Sequence, residues 1–412
     1  TIYSAISAGT ERSLTFFGSK NLLQKALARP DQMRQVLEKM STDGIFTTLD
    51  AAFNKLNDPL PMGYSGVGKI IELGRNVTEY QVGDYVAMAG QAYHSELNRV
   101  NKNLIAKIPQ DVEDLKPYAF NALGGIALQG IHQAQVVPGE TVAVIGLGLL
   151  GHITARILDA FGCDVLGYDI KSNSLKETPL KAFINSEDTE ATIKTLGYTH
   201  NRGVDKVIIT AAANTKGPMD LAASIARDKG IICLIGVTPL ELDRKPYYDK
   251  ELTFTVARSY GPGRYDDTYE VEGIDYPIGH VRFTEGRNIE EFVRLIVSKR
   301  LNIDELITHT FDFNQASDAY ELIKNNSKNE FYVGIVLKYA FNKEKYLNTI
   351  KSVTKNVLKT DQIKVGIIGA GNFTRSSIIP TMKKTKKYYF RALATTGGIS
   401  TSQAKASTKF DY

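Results

Sequence analysis

Over residues 19–57, apolar side chains return at helical spacing: Leu22, Leu23, Ala26 and Leu27, then Met33, Val36, Leu37 and Met40. This predicts amphipathic helices, divided at Pro30-Asp31. Residues 1–12 read as the end of a strand and a polar turn, Ser7-Ala8-Gly9-Thr10-Glu11. Between residues 66 and 108 the pattern changes to short strands separated by Gly74, Asn76, Gly83 and Asp84, which predicts a compact β-rich barrel. Between residues 139 and 257, apolar runs at 142–145, 165–168, 207–210, 231–235 and 252–256 alternate with helical stretches. Such alternation implies parallel strands buried on both faces. A helix at 289–298 and a strand at 331–338 follow, then a lysine-rich linker helix. A strand at 364–368 opens a second α/β unit that the chain does not finish, so the sequence is expected to be a piece of a longer one.

The strongest local signal is Thr141-Val142-Ala143-Val144-Ile145-Gly146-Leu147-Gly148-Leu149-Leu150-Gly151. It follows a strand and opens a helix in which Ile153, Ile157, Leu158 and Phe161 share a face, and the next strand ends in Asp169. Each position suits a bound dinucleotide. Gly146 permits the tight turn, Gly148 lets the backbone approach a pyrophosphate, and Gly151 lets helix and strand pack closely. The helix N-terminus offers N–H groups and partial positive charge to phosphate. Asp169 would accept hydrogen bonds from ribose hydroxyls and repel a 2′-phosphate, which favours NAD, while Lys171 nearby leaves NADP open.

A second loop, Lys364-Val365-Gly366-Ile367-Ile368-Gly369-Ala370-Gly371-Asn372-Phe373-Thr374, repeats the strand-to-helix pattern. Gly369, Gly371 and Asn372 are its candidate cofactor residues. Thr374 stands where a third glycine would be, which implies looser packing of helix on strand. The following strand ends in Thr395-Thr396-Gly397 and supplies no ribose-binding acid, so NADP is less disfavoured there and the choice between NAD and NADP stays open.

Composition narrows the classes. The 412 residues suggest two to three domains, and 43% hydrophobic with 23% charged residues is ordinary for a globular protein. The net charge of +5 is mild, and the lysine clusters at Lys343–Lys359 and Lys383–Lys387 lack aromatic platforms, so they read as solvated surface and no nucleic-acid partner is expected. No apolar run approaches the ~20 residues needed to span a bilayer, and no membrane partner is expected. Cys163 and Cys233 each sit beside or within apolar runs and read as buried thiols, consistent with a cytoplasmic location.

Residues 1–340 resemble the medium-chain dehydrogenase/reductase superfamily. The likeness is carried by Gly63-Tyr64-Ser65-Gly66-Val67-Gly68, Val82-Gly83-Asp84-Tyr85-Val86, Val137-Pro138-Gly139-Glu140 and the first glycine loop. The resemblance implies an α/β fold: a GroES-like β-rich catalytic domain with an inserted Rossmann domain, followed by an incomplete second Rossmann unit. The implied boundaries are 1–118 for the first part of the catalytic domain, 119–275 for the Rossmann domain, 276–340 for the return segment, 341–362 for the linker helix and 363–412 for the second unit. Ser4-Ala5-Ile6-Ser7-Ala8-Gly9-Thr10-Glu11 looks like the zinc-free bacteriochlorophyllide-dehydrogenase branch. Residues 364–412 resemble the start of the Gfo/Idh/MocA oxidoreductases. The order of the two is similar to that in bi-domain oxidoreductases found with bacterial polysaccharide-synthesis genes, where the stretch 259–266 and Tyr276-Pro277-Ile278-Gly279 look typical.

Zinc-dependent relatives hold their metal with a cysteine after the first strand and a His-Glu pair in the glycine turn. Here Ser7 and Tyr64-Ser65 occupy those places, and hydroxyls are poor zinc ligands, so no metal is expected. His94-Ser95-Glu96 offers a His-x-Glu pair without further ligands. Without zinc, a side chain must polarise or protonate the carbonyl. The resemblance nominates Tyr64 first, with Ser7, Thr10 and Ser65 completing the hydrogen bonds and Asn121 near the nicotinamide. A packed turn tyrosine is the alternative for Tyr64. Tyr260, Arg264 and Tyr276 are candidates for a substrate cleft, or for a structural loop around Gly261-Pro262-Gly263. The expected function is a zinc-independent NAD(P)-dependent oxidoreductase acting on an alcohol/carbonyl pair of a small-molecule substrate, by analogy a sugar or nucleotide-sugar. The rivals are a quinone or enone reductase and a non-catalytic NAD(H)-binding module. Superfamily relatives are often dimers or tetramers, so a homo-oligomer stays open.

Overall fold

The computed structural model describes residues 1–12, 61–171, 178–327, 329–340, 362–371, 373–395, 404 and 408–411. The helices expected within 19–57, and the linker helix up to residue 361, lie outside them. The chain divides into two compact units: Thr1–Arg12 with Met62–Phe341, and Ser13–Pro61 with Asn342–Tyr412.

The first unit is built on two six-stranded sheets. The first contains β1 (Tyr3–Ile6), β2 (Ser65–Lys69), β3 (Tyr85–Ala89) and β4 (Ile105–Ile108). After the second sheet's strands, β5 (Thr141–Ile145), β6 (Asp164–Asp169), β7 (Ala182–Asn185), β8 (Val204–Ile209), β9 (Ala226–Leu234) and β10 (Thr253–Val256), the chain returns to the first sheet with β11 (Ile307–Asp312) and β12 (Gly334–Lys338). The first sheet runs β11-β12-β1-β2-β3-β4 and is antiparallel except between β11 and β12.

The second sheet runs β10-β9-β8-β5-β6-β7 and is parallel throughout. Read from the β7 edge, this is the doubly wound order in which the winding reverses beside β5. Five of its strands match the expected apolar runs. The edge strand β7 has no such run because its outward positions, Phe183 among them, are exposed.

Helix Asn121–Gln133 packs against strands of both sheets and against helix Glu285–Val297. The close approach depends on glycine, since a Cβ on Gly124 would lie 2.0 Å from the Phe292 ring. Helix Glu285–Val297 begins four residues before the expected start at 289, because Thr284 caps it by accepting from Arg287 N at 3.4 Å. Both cysteines are buried, and burial pushes the Cys233 thiol up to about 12.

In the second unit, β13 (Ile363–Ile368) and β14 (Tyr388–Ala394) pair in parallel. The loop after β13 turns at Gly369 with φ +89°. The helical segment then opens with a π turn, Thr374–Ile378, before helix Ile379–Thr385. Lys383, Lys384, Lys386 and Lys387 are exposed. Among the described residues, no helix is long and apolar enough to cross a membrane.

Candidate active site

The first glycine loop sits where the strand order reverses. Gly146 has φ +99°, and a Cβ there would lie 2.6 Å from Ala211 N on the neighbouring connection. Thr210 Oγ1 donates to Gly146 O at 2.5 Å and Gly146 N donates to Tyr168 O at 2.7 Å, so the turn is tied to both adjacent strands. A Cβ on Gly151 would stand 1.9 Å from Gly146 O. Gly148 differs: it caps helix Leu149–Ala160 with φ −74°, and a Cβ there would meet nothing within 4 Å. The open side of the loop is therefore at the position where a pyrophosphate would need backbone access.

Leu147 is buried, and Leu149 and Leu150 are half-buried against the same core. Asp169 closes β6 and faces the loop. Its Oδ2 accepts from Leu147 N at 2.6 Å and its Oδ1 from Lys171 N at 3.1 Å. A carboxylate offers about four lone-pair positions, so these two bonds orient Asp169 and leave acceptor capacity for ribose hydroxyls. An open Gly148, a close Gly151 and a terminal acid fit a nicotinamide dinucleotide. In the second unit, Gly369 and Gly371 form an open turn, with nothing within 4 Å of a Cβ on either, and Asn372 lies outside the described residues.

Of the residues nominated for chemistry, the structure brings three together. Ser7 Oγ donates to Thr10 Oγ1 at 3.4 Å, and both hydroxyls interact with the Tyr64 phenol. Burial raises the pKa of Tyr64 against the pull of Ser7 and Thr10, and the Glu11 carboxylate adds to the rise. Tyr64 thus keeps its proton at neutral pH and can donate it in a hydrogen bond. Ser65 does not join them. Its Oγ donates to Ala119 O at 2.6 Å and accepts from Ala122 N at 3.1 Å, which fixes the start of helix Asn121–Gln133. The alternation of a strand explains this, because neighbours Tyr64 and Ser65 face opposite ways. Asn121 Nδ2 donates to Gly66 O and Tyr118 O, both at 2.9 Å, leaving its buried Oδ1 without a partner.

Beneath this group lies a network that sequence reasoning missed. Glu11 is 1% exposed. Its Oε1 accepts from Ser7 N at 3.0 Å, and its Oε2 meets His94 Nε2 at 3.1 Å and the Tyr320 hydroxyl. His94 Nδ1 bonds Ser4 Oγ at 2.7 Å, and Ser4 Oγ bonds Tyr339 at 2.8 Å. His94 therefore serves a buried hydrogen-bond chain between β1 and the return segment, and residues 94–96 are not in a strand. Tyr276 stacks on Tyr269 with ring centroids 5.5 Å apart and donates to Asp266. Among the described residues, no group of three or more His, Cys, Asp or Glu side chains is placed to hold a metal.

The NAD-binding domain of the D-isomer specific 2-hydroxyacid dehydrogenases matches residues 125–195, which include the first glycine loop and Asp169. An alcohol dehydrogenase of Moraxella sp. (strain TAE123) is 25% identical over 245 residues, covering 50% of this chain and 70% of that protein. An alcohol dehydrogenase of Geobacillus stearothermophilus is 28% identical over 213 residues, covering 40% of this chain and 63% of that one. Galactitol-1-phosphate dehydrogenase from Escherichia coli superimposes with a TM-score of 0.54 at 20% identity, over 68% of this chain and 84% of that structure. The fold is thus the GroES-like and Rossmann architecture of the alcohol dehydrogenases. Relatives named as dehydrogenases agree with the expected NAD(P)-dependent oxidoreductase.

Proposed function

We propose that this chain is a zinc-independent NAD(P)-dependent oxidoreductase that interconverts an alcohol and a carbonyl on a small molecule, with a sugar or nucleotide-sugar as the substrate class. The single observation that carries the reading is the first glycine loop, open only at Gly148 and facing Asp169. A bound nicotinamide supplies the hydride acceptor or donor. Gly146–Gly151 and Asp169 would hold the dinucleotide, and Asp169 favours NAD. Tyr64, with Ser7 and Thr10 beside its phenol, donates a hydrogen bond to the carbonyl oxygen as negative charge develops there. Ser65 and Asn121 support this group by fixing the helix that follows. The hydroxyl character of Ser7 and Tyr64 is what supports zinc independence. The domain boundaries near 118, 275 and 340 belong to the same reading, as does a Gfo/Idh/MocA-like start at 363–412. The return of β11 and β12 to the first sheet supports the insertion.

The test is turnover of an alcohol and aldehyde panel with NAD(H), in the presence of a zinc chelator. Activity that survives chelation and falls roughly 10²–10⁴-fold in kcat for Tyr64→Phe is the expected result. Activity abolished by the chelator, or a Tyr64→Phe enzyme within twofold of the parent, overturns the assignment. For the cofactor, Asp169→Ala is expected to weaken NADH binding roughly tenfold more than NADPH binding, since only NADH presents a free 2′-hydroxyl to the acid. Equal loss for both nucleotides would remove the ribose role and leave Asp169 as a cap on Leu147.

A further inference from the structure

A cavity of about 250 Å³ opens beside β4 and the first turns of helix Glu285–Val297. Glu79, Lys102 and Asn103 line it from the segments that lead into β3 and β4. Asp275, Arg287 and Glu290 line it from the helix and the segment before it. It shares no residue with the first glycine loop or the Tyr64 group. At ~30 Å³ per water it has room for roughly eight waters, the space of a small organic molecule.

Its walls are tied together. Arg287 anchors the segment around Tyr276-Pro277-Ile278-Gly279, which the chemistry above leaves unused. Its Nη1 donates to Val281 O, and its Nη2 donates to Tyr276 O at 2.8 Å and pairs with Asp275. Asn103 Nδ2 donates to Tyr269 O at 3.0 Å, which bonds the two sides to each other. Gly286 lets the helix come close to the facing backbone, since a Cβ there would stand 2.3 Å from Asn103 O. The cavity is therefore preformed, as binding sites for small molecules usually are.

The charges around it do not cancel. Lys102 Nζ pairs with Glu79 Oε1 at 2.9 Å, and Arg287 pairs with Asp275. Glu290 is the third acid against two bases, so the lining carries one net negative charge. Among the described residues Glu290 forms no hydrogen bond or ion pair. Partial burial raises its carboxyl above the ordinary value; Arg287 and Arg282 pull against this and Asp275 adds to it. A carboxylate in that position gains from an arriving cation.

We infer that this cavity binds a small organic molecule through a primary ammonium group, with Glu290 as its counter-ion. An ammonium carries three donors and no acceptor. It meets the Glu290 oxygens and the Asn103 Oδ1, which accepts no hydrogen bond among the described residues. An anion would add to the net negative charge. A metal ion fits poorly, because among the described residues no three acids or histidines converge closely enough to hold one. The inference does not rest on the oxidoreductase reading.

Calorimetric titration of the full chain with two amines and their neutral counterparts tests the site: butylamine against 1-butanol, and glucosamine against glucose. The two pairs distinguish an alkylamine from an amino sugar. At least one amine is expected to bind tenfold or more tightly than its counterpart. Glu290→Gln is expected to lower that ratio at least threefold, with thermal unfolding as the control for folding. If that variant does not fold, Asp275→Asn, on a different wall, is read by the same ratio. NADH affinity is expected to be the same in parent and variant, since the glycine loop lies elsewhere. The site is overturned if neither amine reaches a tenfold preference, if butyrate binds as tightly as butylamine, or if the folded variant lowers the ratio by less than threefold.

Discussion

Gly148→Val is expected to abolish NADH binding while leaving the fold intact, and Gly151→Ala is expected to do the reverse damage, unfolding the domain. The two glycines stand three residues apart in one motif, yet their surroundings differ completely. At Gly148 the backbone is extended with φ −74°, and a Cβ would meet nothing within 4 Å, so valine fits without strain. What valine fills is the open side of the loop, where a pyrophosphate must approach the backbone. A loss of at least ~100-fold in NADH affinity, about 2.7 kcal/mol, is expected, with Tm within roughly 2 °C of the parent. At Gly151 a Cβ would sit 1.9 Å from Gly146 O, a backbone atom that cannot swing aside. Helix and strand would have to separate, at a cost of about 3–5 kcal/mol. Fluorescence titration with NADH and thermal unfolding of both variants check the pair. NADH binding unchanged in a folded Gly148→Val protein would take the dinucleotide away from this loop. A Gly151→Ala protein with the parent Tm would show that helix and strand are not held this closely.

This loop was legible in the sequence because everything it needs is contiguous. Strand, turn, helix and the acid at the end of the next strand all fall between Thr141 and Asp169. The parallel sheet was legible for a related reason, since strands buried on both faces appear as unbroken apolar runs. The strands that escaped, β7 and β11, lie at sheet edges and bury few of their side chains, so they leave no such run. The helix start at Glu285 escaped because its apolar period begins only at Ile289, and the cap at Thr284 comes before any periodic residue.

The catalytic candidates were legible only through resemblance, and unevenly. Ser7, Thr10 and Tyr64 come together because β1 and β2 pair as neighbours. The resemblance places Ser65 with Tyr64 at the His-Glu position of zinc-dependent relatives, but its hydroxyl turns to Ala119 O and Ala122 N instead. The Glu11–His94–Tyr320 chain joins residues separated by 83 and 309 positions, which no local pattern can connect. Glu285 misleads differently. An acid in the first turn of a helix ordinarily reads as a solvated partner of the helix dipole. Only the packing of the 260–270 segment over it turns that acid inward.

That inward turn makes stability depend on pH, and Glu285→Gln is expected to remove the dependence. Burial, with the neighbouring Glu270 carboxylate adding to it and Arg264 opposing, raises Glu285 to about 8 from an ordinary 4.5. Tyr260, Tyr269 and Tyr276 are the other titratable groups facing it, and all three are raised above their usual range, so they stay neutral through this interval. Between pH 4.5 and 8 the folded state holds a proton that the unfolded chain has released. The unfolding free energy therefore falls as pH rises. The contribution of Glu285 is whole below about 4.5 and is lost by the time pH passes 8. Allowing for coupling to Glu270, the loss is on the order of 2–4 kcal/mol, or roughly 5 °C in Tm. Glutamine preserves the shape and cannot ionise. The variant's Tm, measured against the parent at pH 5 and pH 8, is expected to gain by about that amount at the higher pH. A difference between variant and parent that stays constant from pH 5 to pH 8 would mean that Glu285 titrates normally and that its carboxyl reaches water.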